Sequence, residues 1–471
     1  MFFYGQMQLA WLISDQYNFM EQFLSDFSSF VWGLPLLVLL IGGGLYLLIL
    51  SKFLPFRYLG HAIQVVRGKY DNPNDSGQIS HFQALTTALS ATVGMGNIAG
   101  VAVAISIGGP GAIFWMWVSA IIGMSTKFFT SALAIMYRGK DSAGDLQGGP
   151  MYFIVEGLGK VWKPLAVMFS ICGMVGALPV FNVNQLTQAI NDILLKPNGV
   201  EVGLFSNFVV GLVLVAITSV VILGGLKRIS KTASRLVPAM VLLYFVSVLI
   251  ILMINFEAVP KYILMIFTDA FSARHFTGDT FLGGMLGGLI LLGIRRGAFS
   301  NEAGIGTAPM AHGAAKTNEP IREGLVAMLG PAIDTLVVCT LTALAILVTG
   351  VWQTTDANGV SLTASAFANA MPTFGNYILL LCIAVFSISS LFSYSYYGTK
   401  CMSFLFGSHK SHYYNYVYIV SIILGATTTL SMMINLIDGV FALMAIPTMT
   451  ATLIMAPRVV KEIKVYFQNL K

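Results

Sequence analysis

The sequence predicts an all-α polytopic membrane protein, and three observations carry that prediction. The 471-residue chain is 56% hydrophobic and only 10% charged, whereas an ordinary soluble domain carries about 25% charged residues. Its apolar residues come in blocks, among them 31–50, 84–107, 204–223 and 237–253, each close to the ~20 helical residues that cross a hydrocarbon core. Two of the blocks, 84–107 and a later one around 297–306, are interrupted by Gly and short polar residues in similar order. A soluble enzyme, a disordered scaffold and a nucleic-acid binder are excluded, since too little polar surface is available to wet a globule of this size.

Apolar windows bounded by charges and turn residues predict eleven transmembrane helices, near 31–54, 81–107, 111–136, 164–194, 204–224, 236–254, 281–312, 323–350, 375–406, 413–433 and 437–456. The formal charge of +6 is a topology signal, because Lys and Arg are retained in cytoplasmic loops. Alternate loops hold most of the basic residues, from Lys52/Arg57/Arg67/Lys69 to Arg458/Lys461/Lys464/Lys471, and the opposite loops hold only Lys196, Lys261 and Arg274. The expectation is a tail at 1–30 outside, a single transmembrane domain over 31–456, and a cytoplasmic tail at 457–471, in the cell (inner) membrane. The N-terminus shows no basic n-region or small-residue cleavage site, so no signal peptide is expected to be removed. The longest external loop, 255–279, has room for a surface helix over 260–271. The four cysteines fall singly in apolar stretches without a CxxC and read as packing thiols rather than a metal or redox site.

The second span contains Ser90-Ala91-Thr92-Val93-Gly94-Met95-Gly96-Asn97-Ile98-Ala99-Gly100, and the seventh contains Arg295-Arg296-Gly297-Ala298-Phe299-Ser300-Asn301-Glu302-Ala303-Gly304. Such runs weaken a helix: Gly is about 1 kcal/mol worse than Ala, and short polar side chains compete for backbone bonds. Unwound backbone survives in mid-membrane only where protein, ligand or ion satisfies it. Each run opens a set of five spans, so the second set lies upside down relative to the first. A 5+5 inverted repeat with a broken helix at matching positions, preceded by one extra helix, is the pattern of a secondary transporter with a site at the repeat interface. Tight helix packing through Gly96 and Gly100 is the plainer alternative for either run alone. The pair in corresponding places argues for a site.

The blocks 84–111, 147–152 (Gln-Gly-Gly-Pro-Met-Tyr) and 297–312 resemble the alanine/glycine:cation symporters, over residues 30–457. Val93-Gly94-Met95-Gly96-Asn97 also resembles the first broken helix of the neurotransmitter:sodium symporters. The resemblance implies a LeuT-like fold and sodium-coupled symport of small neutral amino acids, alanine and glycine, with Na+ as the coupling ion and no covalent cofactor. A half-helix N-terminus suits a substrate carboxylate, which assigns it to Gly94, Gly96 and Asn97. The ammonium is assigned to carbonyls near Gly297 and Phe299 and to the Ser300 hydroxyl, with Asn301 bridging ion and substrate. Asn182 and Gln185 share a helix face; the resemblance favours Gln185 as a substrate contact and Phe181 as a wall. For sodium, the carbonyls of Ser90 and Val93 are joined by Ser389 and Ser390, which resemble the hydroxyl pair of LeuT-like carriers. A second ion is placed near Thr92 and Asn97.

Charges in the spans need protein or water around them. Arg295 and Arg296 are read as an outer gate, Glu302 as an organiser of the broken backbone, and Lys127 as a side chain that snorkels. Asp334 has no assigned partner, and His312, with no second histidine at ligand spacing, reads as structural. A proton-coupled or exchanging carrier of the same fold is the nearest alternative. An ion channel would need a continuous polar pore, and a membrane enzyme lacks a nucleophile paired with a base.

Overall fold

A computed structural model describes residues 19–272, 288–355, 357–427 and 431–470. The first 18 residues, Arg274 with the rest of 273–279, and the start of the seventh predicted span, 281–287, lie outside the described residues. Helix α1 runs over Phe19–Leu50, starting before the predicted 31. Its first turns intersperse Phe19, Phe23 and Phe30 with Glu21 and Asp26, a pattern that an apolar window passes over. The second span is two helices, α2 (His81–Thr92) and α3 (Gly96–Gly108), bent by 55°. Helix α4 (Gly111–Met136) lies at the centre, most of its length buried. A short antiparallel pair, β1 (Gly139–Lys140) with β2 (Leu146–Gln147), leads to α5 (Pro150–Leu158).

Next come α6 (Lys160–Asn198), α7 (Leu204–Ile222) and α8 (Gly225–Ile254). Helix α9 (Val259–Ala270) occupies the loop where a surface helix was expected, and packs on α4 through Phe267, Asp269 and Ala270. The seventh predicted span is split into α10 (Gly288–Asn301) and α11 (Ala308–His312). Beyond it lie α12 (Pro320–Val348), α13 (Val360–Ala370), α14 (Gly375–Phe406), α15 (Tyr413–Thr427) and α16 (Asn435–Asn469).

Among the described residues eight helices are long and apolar enough to cross a membrane, and the bent pair α2–α3 makes nine. The expected count of eleven is therefore not reached by length alone. The shortfall has a physical reason in the seventh span, where the break leaves halves of 14 and 5 residues. Helix α15 has only 15 described residues.

Both breaks are built around an asparagine. At the first, Val93 leaves the helical region (ψ 92°), and the Gly94 N–H donates to Asn97 Oδ1 at 2.8 Å. At the second, Glu302, Gly304 and Gly306 all have positive φ, and the Ala303 N–H donates to Asn301 Oδ1 at 3.0 Å. In each case a side-chain oxygen stands in for the carbonyl that the interrupted helix no longer offers. The breaks also face each other: a Cβ on Gly96 would lie 3.5 Å from Ser300 Cα.

Candidate functional site

A cavity of about 380 Å³ lies between the two breaks and extends to Arg295 and Asp438. Of the residues assigned to substrate from the sequence, Gly94, Gly96, Phe181, Gln185, Phe299 and Ser300 line it. Phe299 sits between two aromatic neighbours, edge-on to Phe181 at 6.2 Å and to Trp32 at 6.1 Å between ring centroids, so one wall is apolar. Glu302 and Tyr394 line the opposite, polar part. The Tyr394 hydroxyl donates to Glu302 Oε1 at 2.6 Å, and the Thr307 hydroxyl donates to Oε2 at 2.5 Å. Glu302 is thus held in place by neutral donors while its backbone takes the left-handed turn of the break (φ 53°).

Asn97, Gly297 and Asn301 are not among the cavity-lining residues. Gly297 faces α4, where a Cβ would meet Ser119 Cβ at 2.8 Å; its role there is close helix approach. Asn301 Nδ2 donates to the Thr335 hydroxyl at 3.4 Å, behind the break. Asn97 lies directly beneath the cavity floor and reaches it through Ser300, whose Oγ accepts from Asn97 Nδ2 at 3.2 Å.

Of the assigned ion ligands, Ser389 and Ser390 meet the C-terminal end of α2. Ser389 Oγ approaches the Ser90 carbonyl at 3.4 Å, and Ser390 Oγ approaches the Ala91 carbonyl at 3.5 Å. Both hydroxyls also bond back to the Phe386 carbonyl, at 2.8 and 3.1 Å. Ser90 Oγ is tied to Ser393 Oγ, and Ser393 donates to the Thr87 carbonyl. Val93 is fully buried, and Thr92 lines the cavity. The C-terminal end of α2, with its partial negative charge, therefore meets two hydroxyls, a set of hard neutral oxygens suited to a small monovalent cation.

The residue that sequence reading missed is Asp334. It sits in a π-helical stretch of α12, Ala332–Cys339, and is fully buried. Its Oδ1 accepts from Asn97 Nδ2 at 2.7 Å, and its Oδ2 accepts from Ser300 at 2.8 Å and Thr335 at 2.7 Å. One carboxylate thus links both broken helices to α12. The lone acid in an apolar run was the available signal; its partners Asn97 and Ser300, more than 30 residues away in sequence, were not readable from spacing.

At one end of the cavity Arg295 lies 3.9 Å from Asp438 and stacks over Trp32, and Ser28 donates to Asp438 at 2.9 Å. Arg295 thus meets an acidic partner at this end of the cavity. The other end is shut. The Gln78 N–H donates to the Ala314 carbonyl, Lys316 N–H to Ile79 and Thr317 N–H to Ser76, joining the lead-in of α2 to the exit of α11. Arg138 binds the carbonyls of Gly313, Ala315 and Thr317; burial lowers its pKa, while the charges of Glu323 and Asp75 act to raise it. Buried Glu323 takes His81 Nδ1 on one oxygen and His312 Nδ1, at 2.5 Å, on the other, so His312 is indeed a structural tie. Cys172, Cys339, Cys382 and Cys401 are buried and unpaired with one another. Lys127, expected to snorkel, is instead buried at 1% exposure, because α4 is enclosed by other helices along its length.

Comparison with known proteins follows the same lines. The profile of the sodium:alanine symporter family matches residues 17–471. A protein named sodium/alanine symporter AgcS from Methanococcus maripaludis is 40% identical over 444 residues, covering 93% of this chain and 95% of its own. The probable sodium/glutamine symporter GlnT of Bacillus subtilis is 33% identical over 459 residues, covering 96% and 92%. The amino-acid carrier protein AlsT of the same organism is 32% identical over 457 residues, covering 96% and 94%. Among solved structures, that of MhsT in complex with L-phenylalanine superposes with a TM-score of 0.58 at 13% identity, over 81% of this chain and 89% of that one. The fold is thus LeuT-like, as the sequence led us to expect.

Proposed function

The chain belongs to the sodium:alanine symporter family, and on that premise we propose that it couples sodium entry to uptake of small neutral amino acids, alanine and glycine, by alternating access. The chain is a multi-pass membrane carrier of the amino-acid symporter class and not an enzyme. Substrate and ion are our reading, and the observation that carries it is the meeting of Ser389 and Ser390 with the carbonyls of Ser90 and Ala91, one turn from a cavity floored by Gly94 and Gly96.

In this reading the substrate carboxylate binds at the Gly94–Gly96 turn, where the N-terminal end of α3 begins and the positive pole of its dipole lies. The ammonium group lies toward Ser300 and the Glu302 carboxylate. Phe181 and Phe299 bound the substrate side chain, and Gln185 supplies a polar contact. Asn301 and Gly297 support the second break from behind. One sodium ion is held by the carbonyls of Ser90 and Val93 with Ser389 and Ser390. A second cation sits near Thr92 and Asn97, with Asp334 and Ser300 as its oxygen ligands. The basic-loop end faces the cytoplasm, so the described conformation is open outward, with the N-terminal tail outside and 457–471 inside. Opening inward requires the 76–79 and 314–317 segments to part.

Uptake of labelled alanine into proteoliposomes, with sodium, lithium and proton gradients imposed separately, tests the reading. Uptake should follow the sodium gradient. Uptake driven equally by a proton gradient, or exchange without any gradient, would replace it with the alternative carrier mechanism.

A further inference from the structure

The charge balance behind the two breaks has an unused member, Lys127. It lies on α4 one turn beyond Gly123, and a Cβ on Gly123 would touch Ala303 Cβ at 2.8 Å. Its Nζ reaches across to α12, 3.3 Å from where a Cβ on Gly330 would stand, four residues before Asp334. The ammonium therefore occupies the space between the second break and the π-helical stretch that carries Asp334. It is buried and lines no part of the cavity.

Glu302 and Asp334 are buried carboxylates near enough to act electrostatically on its charge. Yet the acceptor positions of both are taken by neutral donors: Thr307 and Tyr394 for Glu302, and Asn97, Ser300 and Thr335 for Asp334. Among the described residues Lys127 is in ion-pair contact with neither. Its contribution is a fixed charge held at a short distance, not a salt bridge. With both carboxylates ionised, two carboxylates and one ammonium leave this buried region with one uncompensated negative charge. In a low-dielectric interior such an imbalance is strongly unfavourable unless a counter-charge enters.

We propose that Lys127 is a built-in cation that sets the affinity of the Asp334 region for its mobile counter-ion, so that one monovalent cation completes the neutral, occluded centre. The proposal rests on the reading of Asp334 as a cation ligand. Lys127 acts here as a positioning charge and touches neither substrate nor ion. With the ammonium present, a cation is attracted by a net charge of one rather than two, weak enough to leave on the far side. This is the requirement of a carrier: the ion must be released in each cycle.

The test uses purified full-length protein in proteoliposomes, with the sodium concentration for half-maximal alanine uptake as readout and melting as a check on folding. Lys127→Met should lower that concentration by about tenfold or more, since removing one nearby charge strengthens cation binding by at least that factor at short range, and should slow turnover. Lys127→Arg should stay close to wild type. Lys127→Met with Glu302→Gln restores the original net charge and, read as the sodium-induced melting shift in the absence of alanine, should bring sodium affinity back toward wild type. That double variant should also fold, because removing a buried charge of each sign together is commonly tolerated. Half-saturation unchanged or raised in Lys127→Met, or a double variant that does not fold or does not restore, would overturn the proposal. Asp334→Asn separates the two layers: unchanged sodium dependence there removes the underlying ligand reading. Weakened sodium dependence there, with Lys127→Met unaffected, removes the role of Lys127 alone.

Discussion

Gly94 and Gly96 are two residues apart in the first break, yet they should fail in different ways when each is given a methyl group. A Cβ on Gly94 would lie 2.8 Å from Ser390 Oγ, a separation that forces a shift. Nothing else is closer than 3.9 Å, so the hydroxyl can rotate away and the backbone need not move. The hydroxyl would then leave the Ala91 carbonyl that it now faces at 3.5 Å. Losing one polar ligand of a charged partner is worth about 1.5–3 kcal/mol, which converts to roughly 10- to 150-fold in sodium affinity. A Cβ on Gly96 would rest at 3.5 Å from Ser300 Cα and 3.8 Å from the Phe299 ring, ordinary contacts that displace nothing. Its methyl would instead project at the cavity floor, where the substrate's own methyl competes for room. Gly94→Ala should therefore raise the sodium concentration for half-maximal uptake with little change in alanine affinity at saturating sodium. Gly96→Ala should keep the sodium dependence and lose alanine more than glycine. Labelled uptake over a grid of sodium and substrate concentrations measures both. If Gly94→Ala leaves sodium half-saturation at the wild-type value in a folded protein, the ion does not lie at Ser390.

Three further outcomes are expected. Ser389→Ala combined with Ser390→Ala should raise sodium half-saturation at least as far as Gly94→Ala; an unchanged value would take the ion away from α14. Gln185→Ala should diminish the alanine-induced melting shift that mass action gives the wild type, because Gln185 lines the cavity. Asn301→Ala, behind the break, should keep that shift and lower the melting temperature instead, a membrane hydrogen bond being worth about 0.6 kcal/mol on average; the reverse pattern would exchange their roles. Cysteines introduced at exposed Val200 and Lys231 should react with an impermeant thiol reagent from outside and from inside respectively, and the opposite labelling would invert the orientation.

The backbone-level features of this protein were legible in its sequence because they are written in local composition. A run such as Val93-Gly94-Met95-Gly96-Asn97 cannot continue an apolar helix, and the structure bends there by 55°. The second run does the same at Glu302–Gly306, where three residues take positive φ. What local composition does not carry is depth. Asp334 and Lys127 were visible as charges that lipid would not tolerate, but which elements enclose them depends on α4, α10 and α12 meeting in three dimensions. The expected snorkelling of Lys127 assumed a helix facing lipid, and α4 is the most enclosed of the spans.

The repeated asparagine shows the same division within one residue type. Asn97 and Asn301 occupy matching places in the two repeats, and a side chain that donates and accepts invites a ligand role for both. In the structure each spends its oxygen on a freed backbone N–H, of Gly94 in one break and Ala303 in the other. Backbone demand is therefore common to the two repeats. The amide nitrogen is where they part: Asn97 gives it to Ser300 and Asp334 beneath the cavity, Asn301 to Thr335 behind it. Symmetry of sequence thus predicts the breaks, while the asymmetric partner of each nitrogen decides which of them adjoins the site. Substitution of Asn97 should accordingly disturb both the first break and the hydrogen bonds around Asp334, whereas substitution of Asn301 should disturb only its own break.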